Sequence, residues 1–224
     1  MTDSLISKNY PSAYSLVEEF HRTYGQAIRT VPQLDIPEKA MRVELIVEEA
    51  EELEVANRAN DFIEIADALA DLLYVTYGAA LAHGIKPDEL LLGNKTPVSL
   101  VRLETFLQNY TLPTKPTIHI NIRNEVVAKV SEAAEIYKQA SEHGTIDAVE
   151  AAIVNLIKIS YAASLAFGLD IDAVLEEVQR SNMSKLDKNG LPIYREDGKV
   201  LKGPNFFVPD VTAVLEKQGW VATA

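Results

Sequence analysis

Cysteine is absent from the 224 residues, which removes disulfides and thiolate metal centres from consideration. Positive charge is also scarce. Twenty-one Lys and Arg stand against 33 Asp and Glu, a net charge of −12, which argues against an electrostatic grip on duplex nucleic acid. The opening stretch MTDSLISKNYPSAYSL has neither a basic n-region nor an apolar h-region, so no signal peptide is read there. No uninterrupted apolar run reaches the roughly 18–20 residues of a membrane span. A cytoplasmic protein without membrane contact is the resulting expectation. Gly-rich phosphate loops and G-x-S-x-G elbows are missing, and only four histidines occur, His21, His83, His119 and His143. Glu18-x-x-His21 has di-iron spacing, but such bundles use that motif twice and no second copy exists, so His21 reads as an ordinary helix residue.

What the chain does have is internal repetition. Residues 42–91 laid over residues 126–175, a constant offset of 84, match at 14 of 50 positions without a gap. Average composition gives roughly 3–4 such matches by chance. The identities include Glu48, Ala56, Ala68, Leu72, Tyr77, Gly84 and Asp88. Upstream, at an offset of 86, Val17–Tyr24 meets Leu103–Tyr110. The expected architecture is all-α: two helical units in tandem, packed as an intrachain pseudo-dimer, followed by a loop-rich tail. Its expected boundaries are 1–95, 96–181 and 182–224, with Asn94–Ser99 as the link; pairing of two whole chains as a homodimer is also compatible.

Apolar residues recur at helical spacing over Ala13–Ile28, Ala40–Arg58, Phe62–His83 and Asp88–Leu92, and again in the second copy. Pro32, Pro37, Pro113 and Pro116 mark the long loops between the first two helices of each unit, and Gly84 and Gly168 sit at helix C-caps. After Arg180 the texture turns loop-rich, with a hairpin expected at Asp197-Gly198 and a short helix over Asp210–Gln218.

The first copy carries Glu48-Glu49-x-x-Glu52 and then Glu64-x-x-Asp67-x-x-x-Asp71. On helices each set occupies one face, and a short turn between two antiparallel helices brings the faces together. Carboxylates crowded in one cleft repel unless protons or cations neutralise them, and an all-oxygen donor set suits Mg²⁺ or Mn²⁺. In the second copy Glu49, Glu52, Glu64, Asp67 and Asp71 become Ala133, Ile136, Ala148, Ala151 and Asn155. Apolar replacements there imply positions that face inward, so the cluster is expected to be functional rather than solvated surface. Glu51, retained as Glu135, reads as plain surface.

The second copy instead ends in Arg180-Ser181-Asn182-Met183-Ser184-Lys185-Leu186, and the tail adds Lys188, Arg195, Lys199 and Lys202. Cations in a polar, glycine-rich loop suit phosphate contacts, and each copy lacks what the other keeps. One composite site per chain is therefore expected, with Asn182, Ser184 and Lys185 on the substrate.

Glu48-Glu49-x-x-Glu52 followed by a helix ending Asp71-Leu72-Leu73-Tyr74 resembles the MazG-like all-α nucleoside triphosphate pyrophosphohydrolases, a superfamily that includes dimeric dUTPases and phosphoribosyl-ATP pyrophosphohydrolase. Phe20-His21…Tyr24-Gly25 and the Arg180–Leu186 segment look like its small-MazG branch. The resemblance implies Glu48, Glu49 and Glu52 as metal ligands. The family's second pair is E-x-x-D; here either Glu64 with Asp67 or Asp67 with Asp71 completes the set, and Asp67 and Asp71 are taken as the working pair. It further implies a nucleotide substrate, cleavage to nucleoside monophosphate and pyrophosphate, and Glu48 or Glu49 as the group that handles the attacking water. A phosphoribosyl-ATP-cleaving enzyme and a non-catalytic metal-binding helical module are the alternatives.

Overall fold

A computed structural model describes residues 12–88 and 120–220. The Asn94–Ser99 link, the Leu103–Tyr110 match, the prolines at 113 and 116 and His119 lie outside the described residues. Within them the chain is helical: α1 (Ala13–Thr23), α2 (Lys39–Ala59), α3 (Phe62–His83), α4 (Ile120–His143), α5 (Ile146–Ala166), α6 (Ile171–Asn182) and α7 (Val211–Lys217). Among the described residues extended pairing is limited to one antiparallel bridge, Tyr194 with Val200, which closes a tight turn through Asp197 and Gly198.

Local chemistry sets the helix ends. Asn60 turns left-handed (φ 56°) to stop α2, and Asp61 at once starts α3 by accepting from the Ile63 and Glu64 amides. Eighty-four residues later Thr145 starts α5 the same way, through the Ala148 amide. Gly84 (φ 74°) and Gly168 (φ 73°) follow the two equivalent helices. A β-carbon on Gly84 would also meet the Val31 carbonyl oxygen at 2.3 Å, so glycine is required there twice over. Tyr77 donates to Asp88 (3.4 Å), and its equivalent Tyr161 donates to Asp172 (3.0 Å). α1 stops at Thr23, short of the expected Ile28, because Gly25 takes φ 56°.

The α2/α3 hairpin packs on the α4/α5 hairpin, with α2 against α4 and α3 against α5. Leu53, Ile65, Leu69, Leu72, Tyr137, Ile153 and Leu156 are fully buried between them. α3 is the hub, for it also packs against α1, α6 and α7. α3 and α5 have the length and mean hydropathy of membrane spans, contrary to the reading of the sequence, which looked only for unbroken apolar runs. In the fold 83% of the α3 window and 50% of the α5 window are buried within the protein.

The packing matters for the site because α6, from the second half, lies across both α1 and α3. Tyr24 donates to the Asn182 carbonyl (2.9 Å) and Tyr74 to Gln179 (2.6 Å), fastening the end of α6 to the first half. Tyr194 donates to the Tyr24 carbonyl (2.7 Å) and brings the tail over the same place.

Candidate active site

Under this crossing lies a cavity of about 370 Å³, a volume typical of small-ligand sites. Glu48, Glu49 and Glu52 reach it from α2, Asp67 and Asp71 from α3, and Asn182 and Lys185 from the end of α6 and the turn after it. Lys199 and Lys202 reach it from the tail. Residues more than a hundred positions apart thus share one wall.

The carboxylates are poorly neutralised. Glu49 Oε2 and Asp67 Oδ1 are buried with no hydrogen-bond partner. Loss of hydration, then repulsion from Asp71, Glu52 and Glu48, pushes the Glu49 carboxyl up to about 9. Burial, with Glu64 and Glu52 nearby, raises Asp67 to about 6. Asp71 rises to about 7 through burial and the neighbouring Asp67, against the pull of Lys185. Burial lowers the Lys185 ammonium in turn, partly offset by Asp71. Lys199 Nζ meets Glu48 Oε2 at 3.0 Å.

These residues fit a hard divalent cation. Every donor is an oxygen, and two buried carboxylate oxygens lack any partner, a costly state in an apolar setting. Among the described residues no three acidic or histidine side chains are already drawn together as a finished shell. Like charges hold such groups apart, and a cation bound among them would offset that repulsion.

One alternative left open and one expected substrate contact, Glu64 and Ser184, lie away from the cavity. Glu64 is exposed and does not line the cavity, whereas Asp67 and Asp71 both do. Ser184 does not line it either: its hydroxyl donates to the Ser181 carbonyl (2.6 Å) and accepts from the Phe207 amide (3.1 Å), which holds the turn after α6. The inference that apolar replacement marks an inward position also fails in part. Glu52 is exposed at the cavity rim and its counterpart Ile136 is 46% exposed; Ala151 and Asn155 are exposed too. Glu52 sits at the open rim while Glu49, Asp67 and Asp71 are only partly exposed, and the second half bears an exposed isoleucine and alanine at the equivalent places on its own surface. Glu51 and Glu135 are both surface, as read.

The sequence reading missed the other end of the cavity, where His21, Gln26, Arg42, Tyr74 and Gly78 line the wall. Arg42 is 5% and His21 1% exposed. One signal was present: Arg42 is a cation inside an apolar helical register, with Val126 at the equivalent position.

A family model described as phosphoribosyl-ATP pyrophosphohydrolase matches residues 17–92, the stretch that supplies all five carboxylates. An uncharacterized protein of Acanthamoeba polyphaga mimivirus is 29% identical over 257 residues, covering 96% of this chain and 100% of that one. No solved structure matches the chain.

Proposed function

With residues 17–92 a domain of the MazG-like all-α pyrophosphohydrolase superfamily, we propose that this chain cleaves a nucleoside triphosphate to nucleoside monophosphate and pyrophosphate. The observation that carries the reading is the meeting of five carboxylates from α2 and α3 with Lys185 and Asn182 in one cavity, two of the carboxylate oxygens being buried without partners. Glu48, Glu49, Glu52, Asp67 and Asp71 hold Mg²⁺ or Mn²⁺, which when bound neutralises the polyphosphate and acidifies the attacking water. Glu49, and Glu48 once released from Lys199, orient that water and take its proton as it attacks the α-phosphorus. The bond to the bridging oxygen breaks and pyrophosphate leaves with the electron pair. Lys185 and the tail lysines Lys199 and Lys202 face the negative charge that the leaving group gathers. Asn182 fixes the strand of contacts by its backbone tie to Tyr24.

Because the matching family model carries its name, phosphoribosyl-ATP belongs in the substrate panel beside the common ribo- and deoxyribonucleoside triphosphates. Each is incubated with the protein and Mg²⁺ while pyrophosphate is assayed. Release from at least one, abolished by chelator, is the expected result. A panel that yields no pyrophosphate from any member overturns the reading and leaves a non-catalytic helical module in its place.

A further inference from the structure

The carboxylate end accounts for only part of the cavity. Seven residues before Glu49 on α2 stands Arg42, and seven residues after Asp71 on α3 stands Gly78, two helical turns or about 10 Å away. That separation is of the order between the phosphate chain of a nucleotide and the far edge of its base. At this end His21 Nδ1 donates to the Ala27 carbonyl (2.8 Å), which fixes the tautomer and leaves Nε2 as an acceptor. Burial and the neighbouring Arg42 hold the imidazole down to about 3, hence neutral in ordinary buffers. Arg42 spends Nη2 on Gln26 (3.2 Å), while its buried Nε has no partner. No carboxylate pairs directly with it among the described residues.

Gly78 shows where these groups point. A β-carbon there would stand 3.1 Å from Arg42 Nη1 and 3.2 Å from His21 Nε2, so the donor and the acceptor both lie close against Gly78, on the wall of the same cavity. Phe20 and Tyr74 supply aromatic wall beside it, edge to face with ring centres 5.6 Å apart. Resting on the pyrophosphohydrolase reading, we propose that Arg42 and His21, packed against Gly78 at this end of the cavity, form the subsite that recognises the heterocyclic base of the nucleotide. A base edge offers an acceptor beside a donor, which Arg42 and His21 Nε2 respectively satisfy; pyrophosphate and the sugar offer no such planar pair. The aromatic wall takes the ring itself, and a buried arginine whose nearest carboxylate, Glu38, is paired with Arg29 finds a direct partner there.

The test is base preference, measured as kcat/KM across the five common nucleobases as triphosphates with Mg²⁺, for wild type, Arg42→Gln and Gly78→Ala. The alanine variant leaves both polar groups in the chain and displaces them, since its β-carbon would crowd Arg42 Nη1 and His21 Nε2, and melting curves verify the fold of each variant. Both variants are expected to lose about 10–100-fold on the preferred nucleotide, the worth of a buried charged hydrogen bond. Loss on the poorest substrate is smaller, so the ratio between best and worst collapses toward one. An equal loss across all bases, or an unchanged ratio, overturns the subsite. A wild type that cleaves none of them refutes the pyrophosphohydrolase reading instead. The subsite then rests on calorimetric binding of nucleoside monophosphates, and binding that Arg42→Gln leaves unaltered overturns it.

Discussion

Replacing Glu49 by glutamine should stabilise the metal-free protein at pH 8 and destroy its response to metal. A carboxyl whose folded pKa is raised favours the folded state fully below the unfolded pKa. That contribution is withdrawn as pH climbs toward the folded value, here from 4.5 to about 9. At about 1.4 kcal/mol per unit, the loss accumulated by pH 8 has a ceiling near 5 kcal/mol. The cleft is open to water, and Asp71, Glu52 and Glu48 share the repulsion, so about 1–3 kcal/mol is the expected gain for Glu49→Gln. That is roughly 2–10 °C of melting temperature in a chain of this size. In chelator the wild-type curve should fall between pH 5 and pH 8, while that of the variant is flatter. Millimolar Mg²⁺ or Mn²⁺ should reverse the order, since only the wild type gathers the cation and gains by mass action. Differential scanning calorimetry at both pH values, with chelator and with metal, reads all four numbers. A variant less stable than wild type in chelator at pH 8 would show that Glu49 has a favourable partner. A wild type indifferent to both metals would remove the basis for the cation site.

Glu52→Gln should abolish both turnover and metal stabilisation, whereas Glu51→Gln, one residue away on the exposed face, should change neither; equal effects would undo the assignment of faces. Lys185→Ala should lower kcat/KM about 10–100-fold, the cost of losing a charge-assisted phosphate contact, and leave the Mg²⁺ effect on melting intact. Wild-type kinetics in that variant would refute the composite site. His21 is held down to about 3, so its contribution is whole above pH 6.5 and is lost as pH falls toward 3. The stability difference between wild type and His21→Gln should therefore shrink by about 2 kcal/mol from pH 7 to pH 5. Chemical denaturation at the two pH values checks this, and a constant difference would mean that the imidazole protonates in the folded protein.

Much was legible in the amino-acid order alone, because helices are local objects. The offset of 84 that aligns the two halves reappears in the starts of α3 at Phe62 and α5 at Ile146, in the caps Asp61 and Thr145, and in the Tyr77–Asp88 and Tyr161–Asp172 pairs. Helical spacing likewise placed Glu48, Glu49 and Glu52 on one face of α2 and Asp67 and Asp71 on one face of α3, all of which line the cavity. What spacing does not encode is which remote element covers a given face. α6 and the tail lie across α1 and α3, and that crossing puts Lys185 beside Asp71 and Lys199 on Glu48. It also draws Ser184 into a backbone turn instead of the cavity and leaves Glu64 outside. His21 carries no mark along the chain that sets it beside the cavity, and Arg42 only the faint one of a cation inside an apolar helical register. They became neighbours only when α1 and α2 each packed on α3 beside Gly78, because burial and the loss of hydration are properties of the assembled packing and not of any one helix.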